Sequence, residues 1–161
     1  MMPSSHKIYA LILAFCLTSI AFALYLQHAM HLEPCPLCIF QRLAMISVGL
    51  LALLATLHRP QIWGSRIYGF LITLASLAGM GVAIRHVWLQ HLPADQVPSC
   101  GPGLNYMLDV FPMQKVISLV LRGSGECAKI DWTLAGFTLP EITLVAFAGL
   151  TLLGCYQMFR R

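Results

Sequence analysis

A chain of 161 residues has room for a single domain. Its composition, 58% hydrophobic against 10% charged, with a mean hydropathy of +0.77, leaves too little polar surface to cover a water-exposed globule. The net charge of +4 comes from scattered basic residues and not from a cluster, which argues against a nucleic-acid-binding surface.

Four apolar runs have the roughly 17–25 residues a helix needs to cross a bilayer. They cover residues 9–26, 39–57, 67–84 and 142–159. The expected fold is therefore an all-α membrane protein, a four-transmembrane-helix bundle forming one domain over residues 1–161. Lys7, Arg59, Arg66, Arg160 and Arg161 flank one set of helix ends, and all six acids lie in the other two loops. The excess of cytoplasmic Lys and Arg found in membrane proteins then puts both termini inside, and loops 27–38 and 85–141 outside. Ala21-Phe22-Ala23 has the pattern of a signal-peptidase site, but the apolar run continues to Leu26, beyond the usual length of a signal peptide's apolar region.

The first run carries Cys16, which reads as a small apolar residue. Gln27, His28 and His31 follow as a solvated turn. The second run opens with Glu33-Pro-Cys-Pro-Leu-Cys-Ile-Phe-Gln-Arg42, a Cys-x-x-Cys pair with an arginine one turn further in. Pro34 and Pro36 suit a helix start, where a missing N–H costs nothing. Cys38 then sits near the positive end of the helix dipole, which favours its thiolate. Arg42 shares its face and adds a fixed positive charge. Arg42 could instead reach back to the interface, but a charge in hydrocarbon costs about 2.5–3.5 kcal/mol, and its alignment with Cys38 favours a functional role. The third run carries small residues, Gly69, Ala75, Ser76, Ala78, Gly79 and Gly81, that let helices approach closely; Arg85 and a solvated His86 end it.

The second outer loop is rich in breakers around Cys100, namely Pro93, Pro98, Gly101, Pro102 and Gly103, which predicts an exposed, mobile segment. Gln114–Arg122 is apolar between Lys115 and Arg122 and too short to span, which predicts a short interfacial helix on the membrane surface. Gly123-Ser124-Gly125 reads as a flexible joint leading to an accessible Cys127. The fourth run ends the chain. Its Cys155 lies roughly 20 Å below the outer face at 1.5 Å per residue, so neither it nor Cys16 can join chemistry there.

Cys35, Cys38, Cys100 and Cys127 remain on the outer, disulfide-permissive side, with Cys35–Cys38 and Cys100–Cys127 as the natural pairings. A Cys100–Cys127 bond could be a loop staple worth roughly 3–4 kcal/mol. It could equally be a labile bond that relays exchange. A four-cysteine zinc site fits less well, because such sites usually bring two closely spaced pairs, and no metal is expected. A helical scaffold whose disulfides only brace the loops is the remaining rival.

Taken together, the chain resembles the disulfide bond formation protein B (DsbB) family, thiol:quinone oxidoreductases of the bacterial inner membrane. The residues that carry the likeness are Gln27-His28, Pro34-Cys35-x-x-Cys38, Arg42, His86, Cys100, Gly125-Glu126-Cys127-Ala128 and Trp132. The resemblance implies a periplasmic active face and a soluble DsbA-like thioredoxin-fold partner. That partner would attack the Cys100–Cys127 disulfide, most readily at Cys100. Cys127 would exchange with Cys35, and Cys38 would pass electrons to a quinone, ubiquinone or menaquinone, beside Arg42 and His86. A paralogue serving a different DsbA-like partner would share this pattern. Pro36 within the motif departs from it, and Cys16 and Cys155 match no catalytic position of the family.

Overall fold

The computed structural model describes residues 5–93, 95–99, 104–130, 132–134 and 136–160. Four long helices dominate it: α1 (Ser5–Ala29), α2 (Pro36–His58), α3 (Ile62–Gln90) and, after the long loop, α7 (Leu139–Phe159). All four are long and apolar enough to cross a membrane. The loop between α3 and α7 holds short helices α4 (Leu104–Val110), α5 (Met113–Arg122) and α6 (Gly125–Ala128), then a hairpin of β1 (Thr133–Leu134) and β2 (Phe137–Thr138).

Each long helix overruns its apolar run, because the run marks only the lipid-matched part of the helix. The overrun matters most in α3. Residues 85–90, expected in the loop, form its last turn and a half, and Ala83, His86 and Leu89 face inward at a spacing of three. At the other end of the loop, residues 139–141 are already α7, which Thr138 starts with its backbone N–H on the Glu141 carboxylate at 2.8 Å.

The core runs along the bundle axis through Tyr9, Ile12 and Cys16 of α1, Met45, Val48 and Ala52 of α2, Ile72 of α3, and Phe147 and Leu150 of α7. Leu11, Leu50, Leu74 and Leu152 point outward and stay exposed, the all-round apolarity of helices that meet lipid. Small residues set the α3–α7 distance. A Cβ on Gly69 would lie 2.9 Å from the Gly154 carbonyl oxygen, and one on Gly154 would lie 3.0 Å from Thr73 N. Polar ties close the bundle end that holds the termini: the Tyr9 hydroxyl donates to Ser65 O at 2.7 Å, and Gln157 Nε2 to Ser5 O at 3.1 Å.

A second, smaller core lies at the opposite end, where Leu37 of α2 and Leu89 of α3 meet Met107, Val116, Val120 and Cys127 of the loop. Helix α5, expected from Gln114 and found from Met113, buries Val116 and Val120 there and leaves Met113, Ile117 and Leu121 exposed. Arg85 fastens its end. Nε donates to Leu121 O at 3.1 Å and Nη2 to Arg122 O at 2.9 Å, which satisfies carbonyls that helix geometry leaves unpaired.

The joint after α5 is not the loose linker its glycines suggested. Gly123 adopts φ +85 directly over the Leu89 side chain, where any Cβ would collide. Gly125 N donates to Ser99 O at 3.4 Å, and Cys127 N to Ser124 O at 2.9 Å. Cys127 is consequently only 1% exposed, not accessible as expected. Leucine and valine packing from α2, α3 and α5 encloses it, and no local pattern announces that enclosure. Cys100 lies outside the described residues.

Candidate active site

Helix α2 begins at Pro36, as the prolines predict, and Cys35 is its N-cap. The Cys35 sulfur does what a serine or aspartate oxygen usually does, accepting the Cys38 backbone N–H at 3.3 Å. The Cys35 thiol also donates to Cys38 Sγ across 3.0 Å, so the two sulfurs of the motif already face each other.

The short helix α6 brings a third sulfur to the same point. Cys127 is buried in the cluster that contains Leu37 and against which Cys35 packs, and its Sγ lies 3.8 Å from Ser124 Oγ. It thus sits over the first turn of α2, where free N–H groups and the helix dipole favour an anion. The hydrogen bond from Cys35 is the main reason its pKa falls to about 6, against the opposing effect of burial. Cys35 moves the other way. Its proton is shared with Cys127 first and Cys38 second, which holds it well above the ordinary thiol range.

His86, expected to be solvated, is 2% exposed and completes the cluster from α3. Gln41 Nε2 lies 3.2 Å from His86 Nδ1 and donates to it, so the ring proton is on Nε2. That N–H donates to Cys127 O at 3.1 Å and lies 3.7 Å from Cys35 Sγ. Gln41 was missed in the sequence. The available clue was a polar side chain inside an apolar helix, three residues after Cys38 on the same face.

Arg42 does not reach back along its own helix toward water. Its Nη1 donates to Gln27 Oε1 and its Nη2 to Ala23 O at 3.1 Å, so the guanidinium joins α2 to α1. Gln27 is accordingly the last-turn partner of Arg42 and not part of a solvated turn.

Beside these groups lies a cavity of about 300 Å³. Its polar end is formed by Cys35, Cys38, Gln41, Arg42, His86 and Gln90, and its walls by apolar side chains including Phe15, Phe22, Leu26, Trp132 and Ile142. Phe22 and Trp132 meet edge to face at 5.7 Å across α1 and the loop. Gln90 Oε1 is buried with no hydrogen-bond partner among the described residues, an acceptor left available at the polar end. A largely apolar pocket bordered by thiols, a guanidinium and amides suits an amphipathic small molecule.

The structure therefore brings together Cys35, Cys38, Cys127, Arg42 and His86, and adds Gln41 and Gln90. It is a multi-pass helical bundle with a thiol cluster at one end, open to an apolar cavity. Comparison with known proteins agrees. The profile of the family described as "Disulfide bond formation protein DsbB" matches residues 5–157. Proteins named disulfide bond formation protein B are similar throughout: that of Acinetobacter baumannii is 55% identical over 145 residues, covering 89% of this chain and 85% of the relative. That of Nitrosococcus oceani is 51% identical, covering 90% and 86%, and that of Saccharophagus degradans 45%, covering 99% and 96%. The chain belongs to the DsbB family.

Proposed function

We propose that this protein is a thiol:quinone oxidoreductase of the bacterial inner membrane, its thiol face periplasmic, its termini cytoplasmic and α5 on the membrane surface. It regenerates the disulfide of a soluble DsbA-like dithiol protein. The observation that carries this reading is the position of the Cys35–Cys38 pair, whose sulfurs lie 3.0 Å apart on the cavity wall while Cys35 also packs against the cluster that buries Cys127.

Exchange begins at a Cys100–Cys127 disulfide. One partner thiolate attacks Cys100, Cys127 leaves as thiolate, and the partner's second thiol completes its own disulfide and frees Cys100. Support for that pairing comes from the bond between Gly125 and Ser99, the chain neighbour of Cys100. Cys127 leaves readily because Leu37 N–H and Cys35 stabilise its charge. The Cys127 thiolate next attacks Cys35 of the Cys35–Cys38 disulfide and releases Cys38 as thiolate. The backbone N–H groups of the first α2 turn stabilise that charge, and Arg42 lies one turn away. Exchange with Cys100 then returns Cys127 to its disulfide and leaves the electron pair on the Cys35–Cys38 dithiol.

A bound quinone, ubiquinone or menaquinone, would supply the two-electron, two-proton acceptor that lets the Cys35–Cys38 disulfide re-form. Arg42 would offer its guanidinium to a quinone oxygen, His86 and Gln90 would add polar groups, and the apolar walls would hold the remainder and exclude water. Serine at Cys35, Cys38, Cys100 or Cys127 should each abolish quinone-dependent oxidation of a reduced DsbA-like protein by the purified enzyme. The Cys16/Cys155 double serine variant should stay active. Full activity in Cys38→Ser would overturn the reading.

A further inference from the structure

The sequence set metal binding aside because Cys100 and Cys127 are not a closely spaced pair. The fold supplies a different third ligand. His86, 51 residues after Cys35, enters from α3, and the ligand atoms of Cys35, Cys38 and His86 all lie within 4.8 Å of one another.

We propose that the reduced site is also a redox-gated binding site for a borderline-soft divalent cation of the Zn²⁺ type, held by Cys35 Sγ, Cys38 Sγ and His86 Nε2. The distances are close to those required. Tetrahedral zinc with Zn–S about 2.3 Å and Zn–N about 2.0–2.1 Å separates a sulfur from a nitrogen by roughly 3.6 Å and two sulfurs by roughly 3.8 Å. Cys35 Sγ and His86 Nε2 are 3.7 Å apart, and the two sulfurs, at 3.0 Å, need only a small opening.

Two thiol protons leave as the cation binds, and no electron moves. His86 must present the Nε2 lone pair, so its proton shifts to Nδ1. Gln41 turns its amide, accepting with Oε1 where it now donates with Nε2, and becomes the outer partner that metal-bound imidazoles usually have. Gating follows from the ligands themselves, since a Cys35–Cys38 disulfide offers no thiolate. A bound cation would occupy the lone pairs of both thiols and stop turnover in the reduced state; this inhibitory consequence rests on the redox reading above, whereas the binding does not.

The experiment titrates the purified full-length protein with Co²⁺ and then Zn²⁺, without partner protein or added quinone, in its reduced and oxidised forms. Reduced protein should take up one Co²⁺ per chain with tetrahedral visible bands and thiolate charge-transfer absorption, and Zn²⁺ should displace it; oxidised protein should bind none. His86→Ala should weaken binding at least tenfold. Gln41→Glu, whose carboxylate can only accept from Nδ1–H, should tighten it about tenfold, the opposite of what structural damage would do. Equal uptake by the two redox forms, or affinity unchanged in His86→Ala, would overturn the proposal. Zn²⁺ added to a turnover assay separates the two readings. Binding without inhibition in an active enzyme removes only the consequence, and binding by a protein with no quinone activity removes only the redox reading.

Discussion

Gln41 Nε2 and His86 Nδ1 face each other at 3.2 Å across the α2–α3 interface, and both side chains are buried. Because the amide can only donate through nitrogen, it holds the His86 proton on Nε2, aimed at Cys127 O and toward Cys35 Sγ. Among the described residues Gln41 makes no hydrogen bond to a sulfur, so it acts as a positioning residue. Gln41→Leu is expected to free the ring tautomer and slow Cys127–Cys35 exchange about tenfold, the kinetic equivalent of one hydrogen bond near 1.4 kcal/mol. Nitrogen NMR of the imidazole gives the tautomer directly; an unaltered Nε2–H signal in the variant would remove Gln41 from this role.

The acidity of Cys127 predicts a pH profile. In the reduced protein its thiolate should form with a midpoint at about 6, so the ultraviolet thiolate absorbance that is lost in Cys127→Ser should appear above that pH and fall away below it. The linkage sign is that of a depressed acid. Its stabilising contribution is full above the ordinary thiol value, shrinks as pH falls toward 6, and is gone below. Cys35→Ala deletes the main donor to Cys127 and should move the midpoint upward toward the ordinary value. Ultraviolet thiolate absorbance across pH, taken as the difference from Cys127→Ser, checks both shifts.

Arg42→His shortens the side chain and breaks its bonds to Gln27 and Ala23 O. A charged hydrogen bond contributes about 1.5–3 kcal/mol, so the apparent KM for quinone should rise roughly 10- to 100-fold. The exchange between Cys127 and Cys35 should keep its rate, because Arg42 makes no bond to either. Quinone titrations at saturating partner protein, set beside single-turnover exchange, separate these effects.

Gly69→Ala tests the packing of α3 on α7. The new methyl would lie 2.9 Å from both Gly154 O and Met158 N, which are backbone atoms that cannot turn away. Overpacking of this kind costs typically 1–3 kcal/mol, and thermal denaturation in detergent should show a lowered Tm. At Gly81, also on α3, a Cβ would meet nothing within 4 Å, so Gly81→Ala should leave the Tm unchanged or raised.

The sequence made the four spans legible because apolar runs of spanning length are read without knowing their partners. Cys35, Cys38 and Arg42 were legible for a related reason: one helix start and one i, i+4 relation fix their common face, and all three line the same cavity. His86 and Cys127 were misjudged in environment, though both were named. Each is buried by residues far away in the chain, His86 beneath α6 and Cys127 by Leu37, Leu89 and Val120, and composition near either one indicates only polarity or looseness. Gln41 escaped notice because its meaning depends wholly on the His86 ring that packs against it.

The end of α3 has a mechanical consequence. Within six residues, Arg85 holds the end of α5, His86 holds Cys127 O, Leu89 fills the space under Gly123, and Gln90 Nε2 reaches Lys129 O at 3.5 Å. The Cys127 segment therefore rides on α3 as a passenger, while Cys35 and Cys38 ride on α2. Tilting the bundle as a unit leaves the thiols in register. Sliding α2 along α3 by a fraction of a helical turn would carry Cys35 away from the cluster that buries Cys127, so the register of these two helices sets how closely the two thiols sit.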